Sequence, residues 1–219
     1  MNLFLDATDP WIRVSYLQNH AADFEADLAE HVELTLIAVL VGLLIALPLG
    51  VLIYRRRGLR NPVLGVTGVL YSIPSLALFA FLIPYTGLTY VTAEIGLVGY
   101  TILILVRNTV VGLEAVPADV RDAARGMGYR PLKQLLWVEL PLALPSIFAG
   151  VRIATVTTIG LVTVTALIGE GGLGRLILEG LIRDFKTPLV VGTVLSILLA
   201  AVADLGLAGI QRLVMPWSR

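Results

Sequence analysis

The chain of 219 residues is 57% hydrophobic and only 15% charged, and its mean hydropathy of +0.88 is that of a protein built for lipid rather than water. It has no cysteine, which excludes disulfides and thiolate metal sites, and its two histidines, His20 and His31, are too few for a histidine-based metal centre. Net charge is zero, so nothing points to nucleic acid as a partner.

In chain order, the N-terminus carries Asp6 and Asp9 and no basic start before an apolar run, so no cleavable signal peptide is expected. Residues 11–30 place Trp11, Val14, Leu17, Ala21, Phe24 and Leu28 three or four apart. That spacing predicts an amphipathic helix lying on the outer membrane surface. A crossing of ~30 Å of hydrocarbon takes about 20 helical residues. Five stretches are long enough: residues 32–54, 63–85, 93–113, 142–168 and 189–214. Pro48, Pro74 and Pro145 fall inside the first, second and fourth, where each removes a backbone donor and is expected to kink its helix. Ser72 and Ser75 flank Pro74, and Thr155 and Thr158 lie in the fourth span. With Asn108 these are candidate pathway or helix-packing residues.

Orientation follows from the basic residues. Arg55, Arg56, Arg57 and Arg60 separate spans one and two, Arg121, Arg125, Arg130 and Lys133 separate spans three and four, and Arg212 and Arg219 close the chain. Placing these segments in the cytoplasm puts the N-terminus outside and the C-terminus inside. The domain reading is then an extracytoplasmic segment 1–30, a transmembrane domain 31–214 with a cytoplasmic loop 114–141, and a cytoplasmic tail 215–219.

Three ionisable residues fall within spans: Arg107, Arg152 and Asp204. Such residues are expensive in hydrocarbon and turn toward protein or water. Arg152 and Asp204 lie about ten residues, or ~15 Å of helix rise, from the same predicted face, and are expected to pair. Arg107 lies nearer a span end, where its side chain can snorkel.

The loop is the longest polar stretch between spans. Pro117 and Asp119 suit a helix start, Gly126 and Gly128 suit its end, and Pro131 suits the start of another short helix through Val138. Two short helices joined by a glycine turn are expected. Within them stand Asp122-Ala123-Ala124, three residues, Gly128, nine residues, then Val138-Glu139-Leu140-Pro141. This resembles the cytoplasmic motif of ABC importer permeases, Glu-Ala-Ala, three residues, Gly, nine residues, Ile-x-Leu-Pro. Asp for Glu and Val for Ile are the departures.

Further stretches are similar to the permeases for glycine betaine, choline, carnitine and related quaternary ammonium osmoprotectants. They are 73–78, 81–84, 106–109, 123–128, 138–145, 149–156 and 168–174. The resemblance implies an all-α polytopic membrane protein of the methionine-importer-like type I ABC importer permease fold. It assigns ATPase coupling to Asp122, Ala123, Ala124, Gly128, Val138, Leu140 and Pro141. It implies a second permease, identical or related, two ABC ATPase subunits that bind ATP and Mg, and an extracytoplasmic substrate-binding protein. The chain would be no enzyme and would hold no cofactor; it has no Gly-x-x-x-x-Gly-Lys-[Ser/Thr] phosphate loop.

A quaternary ammonium is usually held by an aromatic cage, and the scattered aromatics Tyr54, Tyr71, Phe79, Phe81, Tyr85, Tyr100 and Phe148 do not spell one. Residues 169–174 match the dinucleotide pattern Gly-x-Gly-x-x-Gly, but a membrane span precedes them where a strand is needed, so a turn at the outer surface is the expectation. An amino acid such as methionine remains an alternative cargo. A stand-alone channel or secondary transporter is the alternative of a different class, and it leaves the loop motif without a purpose.

Overall fold

The computed structural model describes residues 10–218, so Asp6, Asp9 and Arg219 lie outside the described residues. Every regular element among them is helical: α1 (Val14–Asn19), α2 (Ala21–Arg55), α3 (Arg60–Ser72), α4 (Ser75–Thr86), α5 (Tyr90–Glu114), α6 (Ala118–Gly126), α7 (Pro131–Gln134), α8 (Leu140–Thr165), α9 (Leu173–Ile182) and α10 (Lys186–Val214). Four stretches are long and apolar enough to cross a membrane: α2, α5, the run Pro131–Ile168 and α10. A fifth is made if the bent pair Arg57–Ser72 and Ser75–Thr86 is one span.

Three expectations change in detail. The surface helix expected over 11–30 is divided: α1 is a short turn, and from Ala21 the chain runs unbroken into the first span. At 1.5 Å per residue the 35 residues of α2 extend ~52 Å, so about 20 Å of helix exceeds the hydrocarbon thickness. The second span is broken rather than kinked at Pro74. Ile73 (ψ 129°) and Pro74 (ψ 131°) are extended, because a proline ring disfavours the helical conformation of the residue before it. The Tyr100 hydroxyl donates to the Ile73 carbonyl at 2.5 Å and satisfies an acceptor freed by the break. By contrast, α2 passes through Pro48 and α8 through Pro145 as continuous helices. Finally, the second short helix of the loop is not separate: α7 continues through a π-helical turn, Leu135–Glu139, into α8.

The chain forms two compact units. One comprises the described residues up to Ala38, Pro74–Leu97 and Val156–Val202. Here the Gly169–Gly174 turn is held against α2. The Gly171 and Gly172 amides donate to Glu30 Oε1 (3.0 and 3.2 Å), and Arg175 bonds Asp27 (3.2 Å) and Glu30 (2.6 Å). Gly172 has φ +47°, and a Cβ there would stand 2.4 Å from the Asp27 carbonyl oxygen, so the glycine serves backbone contact rather than a phosphate. Tyr16 donates to Glu179 on α9 (3.4 Å).

The other unit comprises Val39–Ile73, Val98–Thr155 and Ala203 onward. Its core sets Ala46 and Ile53 of α2 against Leu105, Val106 and Val110 of α5 and Ala154 of α8. A neighbouring cluster joins Leu113, Leu135, Ala143 and Ile147. The second cluster is what seats the loop.

Candidate functional site

The loop between α5 and α8 is built from its caps. Pro117 (ψ 144°) starts α6 from extended backbone, with Asp119 in the first turn and Arg125 in the last, both favourable to the helix dipole. The helix ends in a Schellman arrangement: Gly128 N–H donates to the Arg125 carbonyl (2.9 Å) and Tyr129 N–H to the Ala124 carbonyl (3.1 Å). That closure needs a left-handed residue, and Gly128 supplies it with φ +79°. Nothing lies within 4 Å of a Cβ built there, so the outer side of the turn is open.

The loop is moored by the end of α2, and the end of α5 that leads into it by the start of α3. Arg55 Nη2 donates to the Pro131 carbonyl (2.7 Å), Arg121 Nη1 to the Tyr54 hydroxyl (2.9 Å), and Arg60 grips Glu114 with two hydrogen bonds (2.6 and 3.3 Å). Each pair is exposed or partly so and separately adds little. Together with the buried Leu135, packed against Leu113, Ala143 and Ile147, they hold the segment against the ends of the long helices.

Not all the motif residues face outward. Asp122, which pairs with Arg125, and Ala123 are exposed, whereas Ala124 is 1% exposed and packs inward. Ala123 alone of the alanine pair is available for close approach by another protein. Val138, Leu140 and Pro141 are half-buried. The exposed apolar side chains beside them are Met127 (69%), Leu132 (63%), Leu136 (50%) and Trp137 (73%). Arg125, Arg130 and Lys133 are exposed among them. Exposed apolar side chains interspersed in the segment with exposed basic ones suit a partner better than solvent.

The other singled-out residues are dispersed. Ser72 closes α3, donating to the Val69 carbonyl (2.8 Å), Pro74 caps α4, and Ser75 opens it. Asn108 donates to the Ile104 carbonyl (2.8 Å), and its Cβ lies 2.5 Å from where a Cβ on Gly150 would stand, so it marks close packing of α5 on α8. Thr155 donates to the Val151 carbonyl of its own helix (2.8 Å). Thr158 is buried, and its hydroxyl has no hydrogen-bond partner among the described residues. Arg107 is exposed. Arg152 and Asp204 form a two-pronged pair at 2.8 Å in both prongs, at the depth match seen in the sequence. Tyr71 meets Tyr100 edge-on and Phe81 meets Tyr85, two-ring contacts rather than an enclosing cage.

Sequence reading passed over two features. Gln134 donates to Glu139 (2.7 Å) with both side chains buried; five residues apart, they share no face of an α-helix, so periodicity gave no hint. Glu94 lies within the third predicted span, and both its carboxylate oxygens are buried beside the Tyr90 hydroxyl. An acidic residue in an apolar run was a visible signal.

Comparison with known proteins places these features in a family. Residues 38–215 match the binding-protein-dependent transport system inner membrane component. The chain is 38% identical over 208 residues to the osmoprotectant import permease protein OsmW of Salmonella typhimurium, covering 93% of this chain and 97% of that one. It is 37% identical to the choline transport system permease protein OpuBB of Bacillus subtilis, covering 93% and 94%. The fold is similar to a chain of the MetNI methionine ABC transporter solved in inward-facing conformations, with TM-score 0.82, 25% identity and coverage of 90% and 98%.

Proposed function

The chain belongs to the binding-protein-dependent transport system inner membrane component family, and from that premise we propose that it admits a quaternary ammonium osmoprotectant such as glycine betaine, choline or carnitine, driven by an ATPase that docks on the loop between α5 and α8. It is a multi-pass protein of the plasma membrane and the permease component of an ABC importer. The observation that carries the coupling reading is the Asp122–Pro141 motif, displayed on α6 and its glycine turn and moored to α2 and α8. The cargo reading rests on relatives named for osmoprotectants and choline.

The basic residues flanking this loop support a cytoplasmic side for it. Two ATPase subunits there bind ATP and Mg, and this chain contributes no catalytic group. Closure of the ATPases carries α6 with it, and the moored helices follow as a body between outward- and inward-open states. A second permease, identical or related, completes the path. An extracytoplasmic binding protein delivers the cargo and does most of the selecting, in keeping with the scattered aromatics.

The test is co-expression with the cognate ATPase and binding protein, then uptake of labelled glycine betaine and choline into ATP-loaded proteoliposomes. Gly128→Trp is expected to insert normally and to lower uptake at least ~10-fold, since a side chain at φ +79° strains the turn and the new ring would stand where the partner lies. Unchanged uptake sinks the docking role. The likeness to the methionine transporter supports a second reading, an amino-acid cargo; uptake of methionine in place of betaine would decide for it.

A further inference from the structure

We propose that Gln134 and Glu139 form a positioning pair that fixes the rotational phase between the docking segment and α8, and so sets how tightly ATP use is tied to transport. The inference rests on the coupling reading above and adds the device by which the loop's movement reaches the span.

The physical case begins at Pro141. A proline has no N–H, so the carbonyl four residues earlier, that of Trp137, loses its helical donor, and the ring crowds it. Just before this point the chain takes a π-helical turn over Leu135–Glu139, in which Leu140 N–H donates to the Leu135 carbonyl five residues back. Such turns hold one residue more than an α-helical turn and concentrate at functional positions. One residue corresponds to ~100° of helix rotation. Absorbing or releasing the extra residue would therefore swing everything before Leu135, including the face carrying Leu132, relative to everything after Leu140.

The pair spans this turn end to end. Gln134 Nε2 donates to Glu139 Oε1 at 2.7 Å, with the residues 8% and 6% exposed. In the ordinary α-helical register, residues five apart stand ~140° away from each other around the axis and would not meet on one face. The bond is thus specific to the π register. Its partners are out of water, where a polar group left unpaired is costly, so losing the π turn would cost the bond as well. Leu135, inside the turn, is fixed by Leu113, Ala143 and Ile147. Register specification is the best-attested service of a buried polar pair.

The experiment uses the whole complex with its ATPase and binding protein in proteoliposomes, reading ATP hydrolysed per cargo imported. Gln134→Leu and Glu139→Leu, which remove the bond, are expected to raise that ratio at least threefold while the ATPase still co-purifies. Exchanging the two, Gln134→Glu with Glu139→Gln, rebuilds an amide–carboxylate bond and is expected to restore the ratio to within twofold. A ratio unchanged in assembled single variants overturns the inference and leaves the docking reading standing. A rise that the exchange does not reverse also overturns it, since it would reflect general damage. Absence of the ATPase from the purified wild-type complex overturns the docking reading itself, and with it the inference. If the single variants fail to assemble, the exchanged pair decides: wild-type coupling supports the register role, and raised ATP use per cargo rejects it.

Discussion

Single side chains carry two measurable consequences. Burial first, then the charge of Glu179 and the hydrogen bond to it, push the Tyr16 hydroxyl up to about 12 from an ordinary 10.0. The folded chain therefore holds this proton more tightly than the unfolded one. The contribution is fully present below pH 10 and is lost as pH rises toward 12. Thermal unfolding followed from pH 9 to pH 12 should show a loss of stability that Tyr16→Phe reduces. The Arg152–Asp204 pair should behave as a unit. Arg152→Ala and Asp204→Ala each leave the other charge without its partner, so the double variant should melt no lower than the worse single one. Additive losses of melting temperature would show the two charges acting separately.

Among elements, α6 makes the sharpest distinction, because two neighbouring alanines of one motif have opposite surroundings. Ala124 is 1% exposed, so Ala124→Leu should overpack the loop and destabilise the fold by ~1–3 kcal/mol. Ala123 is exposed, so Ala123→Leu should leave melting unchanged yet weaken retention of the ATPase on an affinity column. Loss of stability in both, with equal retention, would contradict this division. The broken second span shows the same sensitivity to neighbours. Pro48, Pro74 and Pro145 look alike in sequence, yet only at Pro74 does the helix end, where Tyr100 is at hand to take the freed Ile73 carbonyl.

For the whole molecule, the predicted orientation has a direct test, and the cysteine-free chain is ready for it. Gly58→Cys and Gly128→Cys should react with a membrane-impermeant maleimide only after cells are opened, and Arg183→Cys should react in intact cells. All three sites are exposed. Labelling of Gly58→Cys in intact cells would reverse the topology.

What the sequence by itself determined is whatever depends on composition and spacing along the chain. Apolar length marks the spans, because hydrocarbon thickness sets it. The motif from Asp122 to Pro141 marks the loop, and the equal depths of Arg152 and Asp204 mark a pair, because helix rise converts residue number to distance. Only the tertiary structure decided matters of contact and register. It turned Ala124 inward, ran the amphipathic N-terminal residues into α2, ended a helix at one proline of three, and joined α7 to α8 through a π turn. The Gln134–Glu139 bond was hidden for that last reason. Reading by α-helical period assumes 3.6 residues per turn, and this bond exists where the turn is wider.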